Sequence, residues 1–83
     1  MANQSNSVGA LINIQLNGEP KQIHSPVSVF DIITQHELDP ALIVVELNGH
    51  ILDSDQYAST QLSENDSLEL VRYIGGGQGL LVN

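Results

Sequence analysis

The sequence predicts a two-layer α+β domain, with one helix packed on a four- to five-stranded mixed sheet. Three observations lead there. Asn-Gly pairs at Asn17-Gly18 and Asn48-Gly49 each sit between segments of strand character. Such a pair favours a hairpin because a type I′ turn needs positive φ at both central positions. One stretch, opening at Ser28, spaces its apolar residues for a helix, and the run from Leu68 to Ile74 reads as a final strand.

Residues 1–9 are polar and aperiodic and are expected to form a disordered lead. Ala10 to Leu16 alternates, with Ile12, Ile14 and Leu16 on one face of a strand. Glu19 to His24 returns across the first turn, with Pro20 near its start, where a missing N–H is tolerable. Ser28 and Asp31 stand three apart, as in a capping box. Val29, Phe30, Ile32 and Ile33 supply the apolar stripe of a helix running to about Leu38, and Asp39-Pro40 stops it. Ile43 to Asn48 is β-branched and apolar, as an interior strand should be, and His50 to Leu52 is its short partner. Between Asp53 and Leu62 there is room for one helical turn, with Tyr57 and Leu62 as core anchors. The domain thus spans 10–74, and a flexible glycine-rich tail spans 75–83.

Eighty-three residues allow one domain, and a domain of this size buries only ~60% of its unfolded surface. With Phe30, Tyr57 and Tyr73 as the only aromatics, the core must be aliphatic. Ten acidic residues against one lysine and one arginine give a formal charge of −8. Phosphate neutralisation needs several basic groups, so nucleic acid is not an expected partner, and neither is anionic lipid. A protein with a basic contact surface is. No apolar run approaches the ~20 residues of a membrane span, and no signal-like start is visible, so a cytoplasmic location is expected.

The chain has no cysteine, which excludes disulfides, thiolate metal sites and a cysteine nucleophile. Asp31, His36 and the serines make a triad only on paper, because a triad needs a water-excluding pocket. His24, His36 and His50 lack metal-ligand spacing. Asp53, Asp55 and Glu64 fit calcium-loop positions 1, 3 and 12, but Tyr57 and Ala58 stand where the loop needs an oxygen ligand and a glycine. The glycines at 75–79 cannot open a phosphate-binding helix with four residues left. No catalytic residue, metal or cofactor is therefore expected. What remains is the glycine run after the last strand. It is either a plain flexible tail or a reactive one, since an arm without Cβ atoms can thread a narrow channel into another protein's active site.

The stretch Val44-Val45-Glu46-Leu47-Asn48-Gly49-His50-Ile51-Leu52, then Tyr57-Ala58, then Leu62 through Gly77, resembles the ThiS-type sulfur carriers of thiamine biosynthesis. The likeness extends over residues 10–77, with Ile12 to Gly18 similar to the first strand and turn and Ser28 to Gln35 to the helix. It implies a β-grasp, or ubiquitin-like, roll. It implies that the carboxylate of Gly77, on an arm with Gly75 and Gly76, is adenylated by an E1-like ATP-dependent enzyme and becomes a thiocarboxylate. A thiazole synthase would then take the sulfur, and the chain would be a co-substrate with no cofactor of its own.

Strand parity adds a docking face. If Leu68, Leu70, Val45 and Leu47 point to the helix, then Val44, Val71 and Tyr73 form an apolar patch beside the tail, ringed by carboxylates. One feature departs from the pattern: Gln78 to Asn83 follow Gly77, so the reactive group is an internal peptide bond. Trimming by a processing protease, an inert extension, or a relative that no longer carries sulfur would each explain it. Leu80, Leu81 and Val82 could also pack on the domain or on a second copy. A non-catalytic β-grasp interaction module and a molybdopterin-type carrier remain the alternative readings.

Overall fold

The computed structural model describes residues 9–73 and 79–81. In chain order it contains β1 (Leu11–Leu16), β2 (Glu19–His24), α1 (Val29–Gln35), β3 (Ile43–Leu47), β4 (His50–Leu52), β5 (Ser67–Tyr73) and β6 (Gly79–Leu81). The main sheet runs β2-β1-β5-β3-β4. Its β1–β5 pair is parallel and its other pairs are antiparallel. Two hairpins joined side by side through the last long strand, with one helix on a single face, make the expected β-grasp roll.

Both hairpins close through two residues of positive φ, at Asn17 and Gly18 (51° and 83°) and at Asn48 and Gly49 (53° and 86°). This is the type I′ geometry that the Asn-Gly pairs favour. Each asparagine also reaches β5. Asn17 N–H donates to the Leu68 carbonyl at 2.9 Å, and its Oδ1 accepts the Leu70 N–H at 2.9 Å. Asn48 N–H donates to the Ser67 carbonyl and its Oδ1 accepts the Ser67 N–H, both at 2.8 Å. The turns thus continue the ladders on both sides of the central strand.

The capping box at Ser28 forms as expected. Its Oγ accepts the Asp31 N–H, and Asp31 Oδ2 accepts the Ser28 N–H, each at 3.0 Å. The first helical N–H groups, which no helix can satisfy internally, go to the neighbouring segment: Val29 to the Thr60 carbonyl and Phe30 to that of Tyr57. The helix buries Val29, Ile32 and Ile33 at i, i+3 and i+4. Phe30 does not join that stripe and is 40% exposed, because it sits about 100° round the helix from Val29.

The helix is also shorter than expected, ending at Gln35 rather than near Leu38. Glu37 adopts φ 59°, its N–H meets the Thr34 carbonyl, and the Leu38 N–H meets that of Ile33. That is a Schellman stop with glutamate in the left-handed position, and it turns Leu38 back into the core.

Leu68, Leu70, Val45, Val29 and Ile33 are fully buried, and the sole buried aromatic among the described residues is Tyr57. Tyr57 Oη donates to the Ile43 carbonyl at 2.8 Å, pinning the Ser54–Gln56 turn and its exit under β3. Burial pushes its phenol pKa up. Leu62 is buried as expected. On the far side, Glu64 accepts from the Asn13 N–H at 2.9 Å and Nδ2 at 3.1 Å. Those two bonds hold its carboxyl below the usual range.

Two boundaries move. Gly9 belongs to the fold and not to the lead, since a Cβ there would lie 1.7 Å from the Ser25 carbonyl oxygen. Residues 1–8 lie outside the described residues. Gly79–Leu81 form β6, antiparallel to β5, which is the packing on the domain and not the flexible tail of the two expectations for this segment. The reason is an open edge. β1 pairs with β5 only at Gln15↔Ser67 and Leu16↔Leu68, leaving the upper part of β5 with free main-chain groups.

Replacing Glu37 by glycine removes a side chain from a left-handed position, so Glu37→Gly should raise unfolding free energy by about 1 kcal/mol in urea titrations. Asn17→Gly keeps the turn but loses the bond to Leu70, and should lower it by about 1 kcal/mol. Tyr57 predicts a pH dependence. Its folded pKa lies above the unfolded value near 10, so the neutral phenol's contribution is intact below about pH 10 and is lost as pH rises through the folded pKa. Thermal melts from pH 8 to 11 should show that fall, and Tyr57→Phe should flatten it.

Candidate functional site

The candidate site has two parts, a face of the sheet and the glycine run that follows β5 in the sequence. Along β3 and β5, Ile43, Val45, Leu68 and Leu70 face the helix and are buried. The intervening residues then face the other way. Val44 and Val71 are direct cross-strand partners, both half-buried, so the structure brings these two expected docking residues together. Tyr73, the third, ends β5 two positions further along, opposite Gly79 of β6. Gly75, Gly76 and Gly77 lie outside the described residues.

Next to the valine pair stands a pair of carboxylates: Glu46 lies directly opposite Glu69. Like charges in that position destabilise a sheet, and sequences break such local rules mainly where function asks for it. Glu46, Glu69, Gly49 and Ser67 line a shallow open depression on this face. Ile51 adds to the apolar surface. It pairs with Glu46 and is 66% exposed. The alternation of β4, with Leu52 packed against the core, is the signal in the sequence that places Ile51 on this face.

The other constellations do not assemble into chemistry. Asp31 is held in the capping box, and the His36 ring donates through Nδ1 to the Ile32 carbonyl at 2.9 Å as part of the helix stop. His24 and His50 are exposed on separate strands. Asp53 N–H donates to Gln56 Oε1 at 3.0 Å within its own turn, and Glu64 accepts from Asn13. Among the described residues, no group of three or more His, Asp or Glu is placed to hold a metal, and no helix is long and apolar enough to cross a membrane.

What this arrangement offers is a small apolar surface with two facing carboxylates, on the strand from which the glycine run departs. It suits docking to a protein surface that brings positive charge. Glu46→Gln removes the facing repulsion and should raise stability by about 0.5 kcal/mol at low ionic strength. The gain should shrink in high salt, as urea titrations at two salt concentrations would show.

Comparison with known proteins identifies the family and the fold. The ThiS family model matches residues 14–77. The sulfur carrier protein ThiS of Bacillus subtilis is 29% identical over 65 residues, 77% of this chain and 98% of that one. A thiazole synthase of Magnetococcus marinus is 31% identical over 67 residues, 81% of this chain but 21% of that larger protein. The crystal structure of the thiamine biosynthesis protein ThiS from Geobacter metallireducens superposes with a TM-score of 0.69 at 25% identity, covering 80% of this chain and 100% of that one. With a family match from β1 to Gly77 and a ThiS structure of the same fold, the chain belongs to the ThiS family.

Proposed function

We propose that this protein is a sulfur carrier of thiamine biosynthesis, acting in the cytoplasm as a co-substrate and not as a catalyst. The observation that carries the reading is the glycine run directly after β5, on a chain that matches the family model through Gly77. Once residues 78–83 are removed by a processing protease, Gly77 ends in a free carboxylate. An E1-like enzyme binds the acidic face and aligns that carboxylate with ATP. A carboxylate oxygen attacks the α-phosphorus, pyrophosphate leaves, and an acyl-adenylate results. A sulfide-equivalent nucleophile then displaces AMP and leaves a thiocarboxylate on Gly77. Without a Cβ at Gly75, Gly76 or Gly77, the arm fits a narrow channel at each step. With no cysteine in the chain, no internal thiol attacks the activated end.

A thiazole synthase is the acceptor this reading names. Similarity of this chain to about a fifth of the Magnetococcus marinus thiazole synthase supports a functional connection between the two. Val44, Val71 and Tyr73 form the contact surface for these partners. A second reading, a β-grasp interaction module, is favoured by one observation: Gly79–Leu81 are paired on the sheet and Gly77 is internal.

Intact mass spectrometry of protein from its native cells separates the two. The carrier reading expects a species ending at Gly77 with one oxygen replaced by sulfur. A population made only of full-length chains would overturn it. Deleting residues 75–83 should abolish thiazole formation in a reconstituted assay if the chain is a carrier. A binding module would keep its partner.

A further inference from the structure

We propose that β6 is a cover strand. It occupies, from within the chain, a strand-accepting edge of β5 to which an extended segment of the partner protein docks when residues 78–83 have left.

The edge follows from the ladder. On one side of β5, β3 pairs from Leu47↔Leu68 to Ile43↔Arg72, so that side is filled. On the other side, β1 reaches only Ser67 and Leu68, and Asn17 carries the contact on to the Leu70 N–H. Main-chain groups alternate sides along a strand. The Ser67 carbonyl faces the β3 side, where it meets Asn48, while the Leu68 carbonyl and Leu70 N–H face the β1 side. By the same alternation the Arg72 N–H and carbonyl face the β1 side, beyond the last reach of Asn17. Leu80 of β6 stands opposite Arg72, between Val71↔Leu81 and Tyr73↔Gly79. The sheet thus already accepts an antiparallel strand there.

Two consequences point to a partner's strand as the later occupant. Paired residues in a ladder lie about 5 Å apart, so Tyr73 and Gly79 are held close while β6 is seated. An arm extended away from the sheet would place them about 20 Å apart over six residue steps. Covered edge and reaching arm therefore exclude each other. The uncovered edge also borders the Val44–Val71 surface and the Glu46–Glu69 pair. A segment with an apolar residue opposite Val71 and basic residues nearby would bond the main chain and offset the facing charges.

The functional consequence rests on the carrier reading, but the pairing can be tested without it. Amide hydrogen exchange is measured on the full chain and on Leu80→Pro, which lacks the N–H opposite Arg72. The Arg72 amide should exchange at least tenfold faster in the variant. The Leu70 amide, held by Asn17, should not change, which reports an intact fold. Equal Arg72 rates in the two proteins would overturn the cover strand. A hexapeptide of the sequence of residues 78–83, added to Leu80→Pro, should slow Arg72 exchange again; no slowing at millimolar peptide would overturn the strand-accepting edge. For the docking step, Leu80→Pro should bind the ATP-dependent activating enzyme at least tenfold more tightly than the full chain, and equal affinity would overturn it. The exchange readout uses neither ATP nor an enzyme, so it decides the cover strand whatever the fate of the carrier reading.

Discussion

The fold depends on how β5 is held between two hairpins that know nothing of each other locally. Each hairpin closes through its own Asn-Gly turn, but the sheet exists only when β5 enters between them. Entry on the β1 side is parallel and limited to two register pairs. Asn17 and Asn48 extend the grip, one from each side, through side-chain oxygens that accept the N–H groups of Leu70 and Ser67. An asparagine in left-handed conformation does two jobs here. It turns the chain, and its amide stands in for a strand residue. Leu68 and Leu70 can then sit fully buried against α1.

That grip also bears on the end of β5 that precedes the glycine run. β3 pairs along β5 as far as Arg72, so the end of β5, from which the chain exits to the glycine run, is held in the sheet. Val44, Val71 and the Glu46–Glu69 pair lie on the face away from the helix, beside that exit.

The sequence made local features legible and left long-range ones dark. Both turns, the Ser28–Asp31 capping box and the inward parity of Val45, Leu68 and Leu70 depend on neighbours within a few positions, and all three appear in the structure. The helix end is hidden from the sequence because Pro40 is the obvious stop, whereas the actual stop is a glutamate, Glu37, in a conformation that favours glycine. Phe30 looked like core because its hydrophobicity was read without its angle around the helix. Of the expected docking residues, Val44 and Val71 follow from strand parity, while their direct pairing needs the register.

By itself, the sequence determined the element types, the aliphatic core, the acidic surface and the glycine run, since each follows from composition or short-range spacing. Tertiary structure decided which main-chain groups of β5 were left free, and therefore where Gly79–Leu81 would pair. Leu80, Leu81 and Val82 are apolar enough to pack on the domain, but nothing in them says which edge they take. The pairing arises because β1 is too short to cover β5, a mismatch that exists only once strands far apart in the chain lie side by side.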